Sequence, residues 1–175
     1  MKLLSYKFFL IVIYLISTVI SFSDEPNIKN LVIHKQNKKL ENIIFTDVDN
    51  RSVNIKEFSS QLVIINFWAT WCAPCREEMP SLDKLQGKKE FDNLKILTIN
   101  VGQESVDKSL SFFKELEIEN LELYFDDSIN LAKIFSLRGL PTSILINKNG
   151  EEFARIVGSI DFNDNKFVKW LYNYN

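Results

Sequence analysis

Two cysteines, Cys72 and Cys75, stand three residues apart and are the only cysteines in the chain. Thiols at this spacing can bind zinc, hold a haem covalently, form a structural disulfide or exchange disulfides. Zinc needs three or four protein ligands, and besides the thiols the chain has a single, distant histidine, His34, expected to lie on the surface. Haem attachment needs a histidine directly after the second cysteine, where this chain has Arg76. We therefore expect no metal and no cofactor.

A structural disulfide is the simplest remaining alternative to redox chemistry. It would close a loop of four residues, for which the chain-entropy model gives only about 2 kcal/mol. Redox chemistry explains the location better, because Pro74 marks the first turn of a helix that begins at or just after Cys72. The free N–H groups and positive dipole end of that helix would favour the Cys72 thiolate. Cys75, one turn further along, would be placed to resolve a mixed disulfide.

The segments around the cysteines predict how they are positioned. Residues 61–69, QLVIINFWA, form an apolar run rich in β-branched residues, typical of a buried strand that leads directly into Cys72. Met79, Leu82 and Leu85 recur at helical spacing after it. Further strands and helices alternate along the chain: strands at 94–101, 121–125 and 136–146, helices around 106–116 and 130–135, and a C-terminal helix.

Two hairpins complete this pattern. Residues 43–55 read as two short strands around a turn, and Asn149-Gly150 separates two further apolar alternations. The order of elements predicts an α/β fold with a mixed central sheet flanked by helices and an extra N-terminal β-hairpin.

The N-terminus has the pattern of an export segment. Lys2 and Lys7 precede sixteen uncharged residues, 8–23, and acidic residues follow. At about 1.5 Å per helical residue the run reaches roughly 24 Å, between a signal peptide and a membrane anchor. We therefore expect residues 1–23 to be a signal peptide, cleaved near Ser23, or an anchor. Residues 24–42 would be a polar spacer and 43–175 the folded domain.

Composition limits the possible partners. The chain has 21 basic and 23 acidic residues, with no block of five like charges, so nucleic acid is not an expected partner. With 175 residues, of which 46% are hydrophobic, it is long enough for one domain with its own core.

The motifs NFWATWCAPCREEMPSLDKLQGK and GLPTSILINKNG together resemble the thioredoxin-like family of TlpA and its relatives, membrane-anchored thiol:disulfide reductases of the bacterial periplasm. The resemblance covers about residues 40–173. It implies a thioredoxin fold in a monomer, tethered to the inner membrane by residues 8–23 or released into the periplasm. Cys72 would attack a disulfide of a partner protein and Cys75 would release the product. A membrane electron donor of the cytochrome-biogenesis type would recharge the pair.

The resemblance also implies roles for residues around the pair. Pro141 would be cis and face the cysteines, and the Leu140 backbone would pair with a bound substrate segment. Trp71 would lie at the rim of the site. Ala73 and Pro74, between the thiols, would complete the substrate-binding surface.

The chain departs from the best-known thioredoxins at one residue that bears on proton transfer. The best-known thioredoxins carry a buried aspartate where this chain has Asn66, and an amide cannot shuttle a proton. Glu78, three residues after Cys75 and on nearly the same helix face, is the candidate that would replace it. Glu77 reads as a surface residue.

Three functions compete with disulfide reduction. The same fold could act as a disulfide oxidant, because the direction of electron transfer depends on whether the dithiol or the disulfide form of the pair is more stable. A Cu(I) carrier without redox turnover could use Cys72, Cys75 and the thioether of Met79. A peroxidase is disfavoured, because the residues before Cys72 do not form the P-x-x-x-T-x-x-C pattern. Family precedent favours a reductase whose targets are copper proteins of cytochrome oxidase assembly or apocytochromes c.

Overall fold

The computed structural model describes residues 27–126 and 129–175. The predicted signal or anchor, residues 1–23, and the first residues of the predicted spacer lie outside this range. Within it, no helix combines the length and apolar character needed to cross a membrane.

Eight strands and four α-helices make up the described part of the chain. The strands are β1 (Leu31–Lys39), β2 (Ile44–Asp47), β3 (Ser52–Asn54), β4 (Leu62–Trp68), β5 (Leu94–Asn100), β6 (Glu122–Phe125), β7 (Thr142–Ile146) and β8 (Glu151–Val157). The helices are α1 (Ala73–Gln86), α2 (Val106–Glu115), α3 (Asn130–Ile134) and α4 (Asn165–Tyr172), and a short 3₁₀ helix covers Ile55–Phe58.

The strands form a single mixed sheet in the order β1-β8-β7-β4-β5-β6-β2-β3. Strands β4, β5 and β6 run parallel, whereas β7, β8 and β1 alternate antiparallel on one side and the β2–β3 hairpin adds to β6 on the other. The prediction of an α/β thioredoxin fold with a mixed sheet and an extra N-terminal hairpin is confirmed.

The sheet separates two hydrophobic clusters because successive side chains of a strand point to opposite faces. In β4, Leu62 and Ile64 join the cluster covered by α1, α2 and α4. Val63 and Ile65 join the cluster covered by α3 and the N-terminal hairpin. All seven residues of β4 are buried, as its continuous apolar run predicts.

The predicted spacer is the main difference from expectation, because residues 31–39 form strand β1 at the edge of the sheet. Leu31 and Ile33 pack against the core, and β1 pairs with β8. The expectation of a surface His34 is also wrong. Its side chain is 11% exposed, and its Nε2 lies 2.6 Å from Oε1 of the buried Glu152.

Candidate functional site

Cys72 and Cys75 are joined by a disulfide at the start of α1. Cys72 is the N-cap residue of the helix, and its sulfur accepts a hydrogen bond from the Cys75 N–H at 3.3 Å. Pro74 lies in the first helical turn, where its missing N–H leaves no hydrogen bond unmade. In the reduced pair, this N–H and the helix dipole would stabilise a Cys72 thiolate.

Exposure separates the cysteines from their surroundings. Cys72 is 5% exposed and Cys75 is fully buried, while Trp71 is 66% exposed. Ala73 and Pro74, between the cysteines, are exposed as well. A protein that approaches the Cys72 sulfur would therefore contact Trp71, Ala73 and Pro74 first.

The predicted proline lies at the same end of the sheet. The Leu140–Pro141 peptide bond is cis, as the resemblance implies. Thr142, the next residue, pairs with Phe67 near the carboxyl end of β4, the end from which the chain leads to Cys72. The Pro141 carbonyl accepts a hydrogen bond from the Gly158 N–H at 2.9 Å, which fixes this segment to the loop after β8.

Glu78 is buried inside the domain, on the α1 side of the sheet. Its side chain is 2% exposed, and its Oε1 accepts a 2.8 Å hydrogen bond from Nδ2 of Asn66 on β4. The same Nδ2 donates to Ser143 Oγ on β7 at 2.9 Å. Within residues 27–126 and 129–175, no donor forms a well-aligned hydrogen bond to the second carboxyl oxygen, Oε2.

Burial raises the pKa of Glu78 to about 8, although the Asn66 amide and the backbone N–H of Ile160 favour the carboxylate. Desolvation destabilises the charged form of a carboxyl group, and here two donors compensate only in part. Glu78 therefore holds its proton at neutral pH in the disulfide form and can exchange it within about one pH unit of neutrality.

A second buried carboxylate, Glu104, supports the loop before Cys72. Its side chain is 4% exposed. Its Oε2 accepts a 2.7 Å hydrogen bond from the Thr70 backbone N–H and a 3.2 Å bond from Asn100 Nδ2. Its Oε1 accepts from the Thr70 hydroxyl and the Lys108 ammonium group. Burial opposes ionisation, but the donors on Lys108, Thr70 and Asn100 outweigh it and lower the pKa of Glu104 to about 2.

Gly102 allows this close approach of the β5–α2 loop to the cysteine loop. A Cβ at residue 102 would lie 2.8 Å from the Ala69 Cβ and 2.9 Å from Glu104 Oε2. Sequence reasoning missed both residues. The available signal was that both residues closely follow the strand predicted at 94–101.

Among the described residues, no three His, Cys, Asp or Glu side chains are grouped closely enough to hold a metal ion. Met79, which the Cu(I)-carrier alternative would use as a third ligand, is fully buried and belongs to the core cluster between α1 and the sheet.

This sheet order, a C-x-x-C disulfide at the start of α1 and a cis-proline at the same end of the sheet define a thioredoxin-fold protein with a disulfide-forming active pair. The chain belongs to the AhpC/TSA family, whose model matches residues 36–151. By fold, family and cysteine pair it groups with the thiol-disulfide oxidoreductases.

Similar proteins agree with this grouping. Thiol-disulfide oxidoreductase ResA of Halalkalibacterium halodurans is 30% identical over 110 residues, which cover 63% of this chain and 61% of that protein. ResA of Geobacillus kaustophilus is 30% identical over 121 residues, covering 69% and 68%. The match thus spans less than two thirds of the first relative's length. A secreted thiol-disulfide isomerase from Corynebacterium glutamicum shares the fold, with a TM-score of 0.68 at 24% identity, covering 84% of this chain and 93% of that one.

Proposed function

We propose that this chain is a periplasmic thiol:disulfide oxidoreductase that reduces disulfides of partner proteins. The observation that carries the proposal is the Cys72–Cys75 disulfide at the N-terminus of α1, with the Cys72 sulfur already accepting the Cys75 N–H. A sulfur in this position is stabilised as a thiolate, which is the attacking form in disulfide exchange.

The reaction proceeds through two exchange steps. The Cys72 thiolate attacks one sulfur of the target disulfide, and the other target sulfur leaves as a thiolate. Cys75 then loses its proton and attacks the Cys72 sulfur of the mixed disulfide, which releases the second target thiolate. Two electrons pass to the target, the target thiolates take up two protons, and the chain returns to its disulfide form.

Glu78 would handle the proton of Cys75. When a donor reduces the pair, the neutral Glu78 carboxyl protonates the Cys75 thiolate and becomes a carboxylate. During attack on a target, this carboxylate takes the proton back as Cys75 becomes a nucleophile. Cys75 and Glu78 are three residues apart on one helix, so their side chains are neighbours. The raised pKa of Glu78 suits both the donation of a proton to Cys75 and its return.

Partner proteins would bind across the exposed surface formed by Trp71, Ala73 and Pro74 and along the Leu140–Pro141 segment. Trp71 offers a large exposed ring for contact, and an extended target segment would pair with the Leu140 backbone. A target bound in this way would have its disulfide above Cys72.

The N-terminal pattern and the relatives support the proposed location and chemistry. Residues 8–23 would anchor the chain in the inner membrane, or cleavage near Ser23 would release it into the periplasm. A membrane electron donor of the cytochrome-biogenesis type would supply electrons. The targets would be copper proteins of cytochrome oxidase assembly, or apocytochromes c. The names of the ResA relatives support thiol-disulfide exchange, and the secreted Corynebacterium protein shares the fold.

The reduction potential of the Cys72–Cys75 pair tests the direction of this proposal. We would equilibrate the chain with glutathione or dithiothreitol buffers and trap free thiols. A reductase requires a value below about −200 mV, whereas a value near about −120 mV would make the chain a disulfide donor. Weak retention of Cu(I) by the reduced chain in equilibrium dialysis would exclude the carrier alternative, which the burial of Met79 already disfavours.

The Cys75→Ser variant tests the order of attack. It should accumulate a mixed disulfide between Cys72 and one cysteine of the target, because the resolving thiol that would release the target is gone. Cys72→Ser is the matched control and should accumulate none. Equal trapping by both variants would overturn the assignment of Cys72 as the nucleophile.

A further inference from the structure

Positive charge is concentrated on the edge of the sheet where the described chain begins. Residues 27–40 contain four lysines and no acidic residue, whereas residues 41–175 contain 15 basic and 21 acidic residues. Strand β1 supplies three of these lysines, Lys35, Lys38 and Lys39, all exposed. Nothing in the redox chemistry of Cys72 and Cys75 uses them.

Lys148 lies near the lysines of β1, because β1 pairs with the start of β8. Lys39 pairs with Glu151, the first residue of β8, and the exposed Lys148 lies in the turn that leads into β8. We define Lys35, Lys38, Lys39 and Lys148 as the basic edge.

In the described part of the chain, three acidic residues lie beside the basic edge: Glu41, Glu151 and Glu152. The exposed Glu41 lines a cavity with Lys38 and Lys39. Glu152 is buried between His34 and Arg155. Glu151 accepts hydrogen bonds from Asn37 and Asn147.

We propose that the basic edge lies against the anionic phospholipids of the bilayer in which residues 8–23 would be anchored. The inference rests on the anchoring stated in the proposed function and adds an orientation to it. Seven residues, 24–30, separate the apolar run 8–23 from β1, and at about 3.5 Å each they reach about 25 Å at most. An anchored chain would therefore keep the start of β1 within that distance of the lipid headgroups. Each lysine near an anionic surface strengthens such attachment about fivefold.

Negative charge at the active-site end of the domain favours an orientation in which this end points away from the lipids. The exposed acidic residues Glu77 and Asp161 line a cavity with Glu78 at the active-site end of the domain, and anionic lipids would repel them. Strand β4, which leads to Cys72, lies three strands inward from β1, or about 14 Å at the usual strand spacing. Lys38 and Lys39 pair with the first residues of β8, at the end of the sheet where β4 begins, whereas Cys72 follows the end of β4. With the basic edge against the lipids, the cysteine pair would therefore sit away from the membrane surface and stay uncovered.

Amine labelling of the full chain in lipid nanodiscs tests this orientation. Discs of phosphatidylcholine alone are compared with discs containing phosphatidylglycerol, and acetylation of each lysine is measured by mass spectrometry. We expect labelling of the basic edge to fall about threefold or more in phosphatidylglycerol discs. Lys166 and Lys169, exposed on α4, should be unaffected. In about 0.5 M salt the protection should largely vanish, because screening then acts within about 4 Å.

Two triple variants locate the effect. K35Q/K38Q/K39Q should abolish the lipid-dependent protection of Lys148, whereas K84Q/K89Q/K166Q, an equal charge change at other exposed lysines, should preserve it. Equal labelling in both lipids, uniform protection of all lysines, or failure of the chain to remain on the discs would each overturn the proposal. The reductase function is measured separately by the reduction potential, so its failure would be distinguishable.

Discussion

Replacing Glu78 by Gln should change how the stability of the disulfide form depends on pH. Glu78 is 2% exposed and has its pKa raised to about 8 from 4.5. Glutamine has nearly the same shape, can still accept the Asn66 hydrogen bond through its oxygen, and cannot ionise. The substitution therefore removes the titration while keeping the packing.

The size of the effect follows from the two pKa values. The unfolded chain loses the Glu78 proton near pH 4.5, whereas the folded chain keeps it until about pH 8. The contribution is fully present below pH 4.5 and is lost as pH rises through this window, because only the unfolded state gains from ionisation. At about 1.36 kcal/mol per pKa unit, the wild-type chain should lose roughly 3 to 4 kcal/mol between pH 5 and pH 8 that the variant does not lose.

Urea unfolding of both oxidised proteins at pH 5, 6, 7 and 8 measures this difference. Other titrating groups are common to the two proteins and cancel when the curves are subtracted. Glu77→Gln, an exposed neighbour on the same helix, is the control and should run parallel to the wild type. Parallel curves for Glu78→Gln as well would refute the raised pKa, and with it the assignment of Glu78 as the proton carrier for Cys75.

Three further substitutions test the surroundings of the cysteines. Glu104→Gln should lower the free energy of unfolding at pH 7 by roughly 2 to 3 kcal/mol, because the carboxylate with a pKa of about 2 loses its charge-assisted bonds. That deficit should shrink as pH falls towards 2 in urea unfolding, and a deficit independent of pH would contradict the ionised state. Gly102→Ala should cost about 1 to 3 kcal/mol through the 2.8 Å approach to Ala69, and an unchanged urea midpoint would show that the loop can relax. Trp71→Ala should alter stability by less than about 0.5 kcal/mol, since the side chain is 66% exposed, yet raise KM for insulin reduction while leaving the reaction with a small aromatic disulfide unchanged. Equal losses with both substrates would remove Trp71 from protein recognition.

The central elements were predictable from sequence because local and tertiary preferences agree there. The apolar run of β4 is buried on both faces. Pro74 lies in the first turn of α1, where proline is favoured because its missing N–H costs no hydrogen bond. Strand β1 was not predictable, because its residues are mostly exposed and its pairing depends on the distant strand β8. Edge strands have few buried positions, so their hydrophobic pattern is weak.

The Glu104 cluster was missed for a related reason. Asn100 and Lys108 each lie four residues from Glu104, but Thr70 is 34 residues away and meets it because β4 and β5 are parallel neighbours. Its position shortly after a predicted strand does not by itself predict the contact with Thr70. Glu78 could be proposed because its helical distance from Cys75 is fixed by sequence, whereas its burial and contact with Asn66 depend on how α1 packs on β4.

The pair of Asn66 and Glu78 explains why the titrating group is on the helix. Asn66 Nδ2 donates to both Glu78 and Ser143, so it links α1 to β4 and β7 in one buried polar cluster. A carboxylate at residue 66 could not donate either bond and would place a second negative charge within hydrogen-bond distance of Glu78. The amide therefore keeps the cluster neutral when Glu78 is protonated and limits it to a single charge when Glu78 ionises. Because that one ionisation occurs three residues from Cys75, the proton balance of the thiol and the stability of the fold depend on the same carboxyl group.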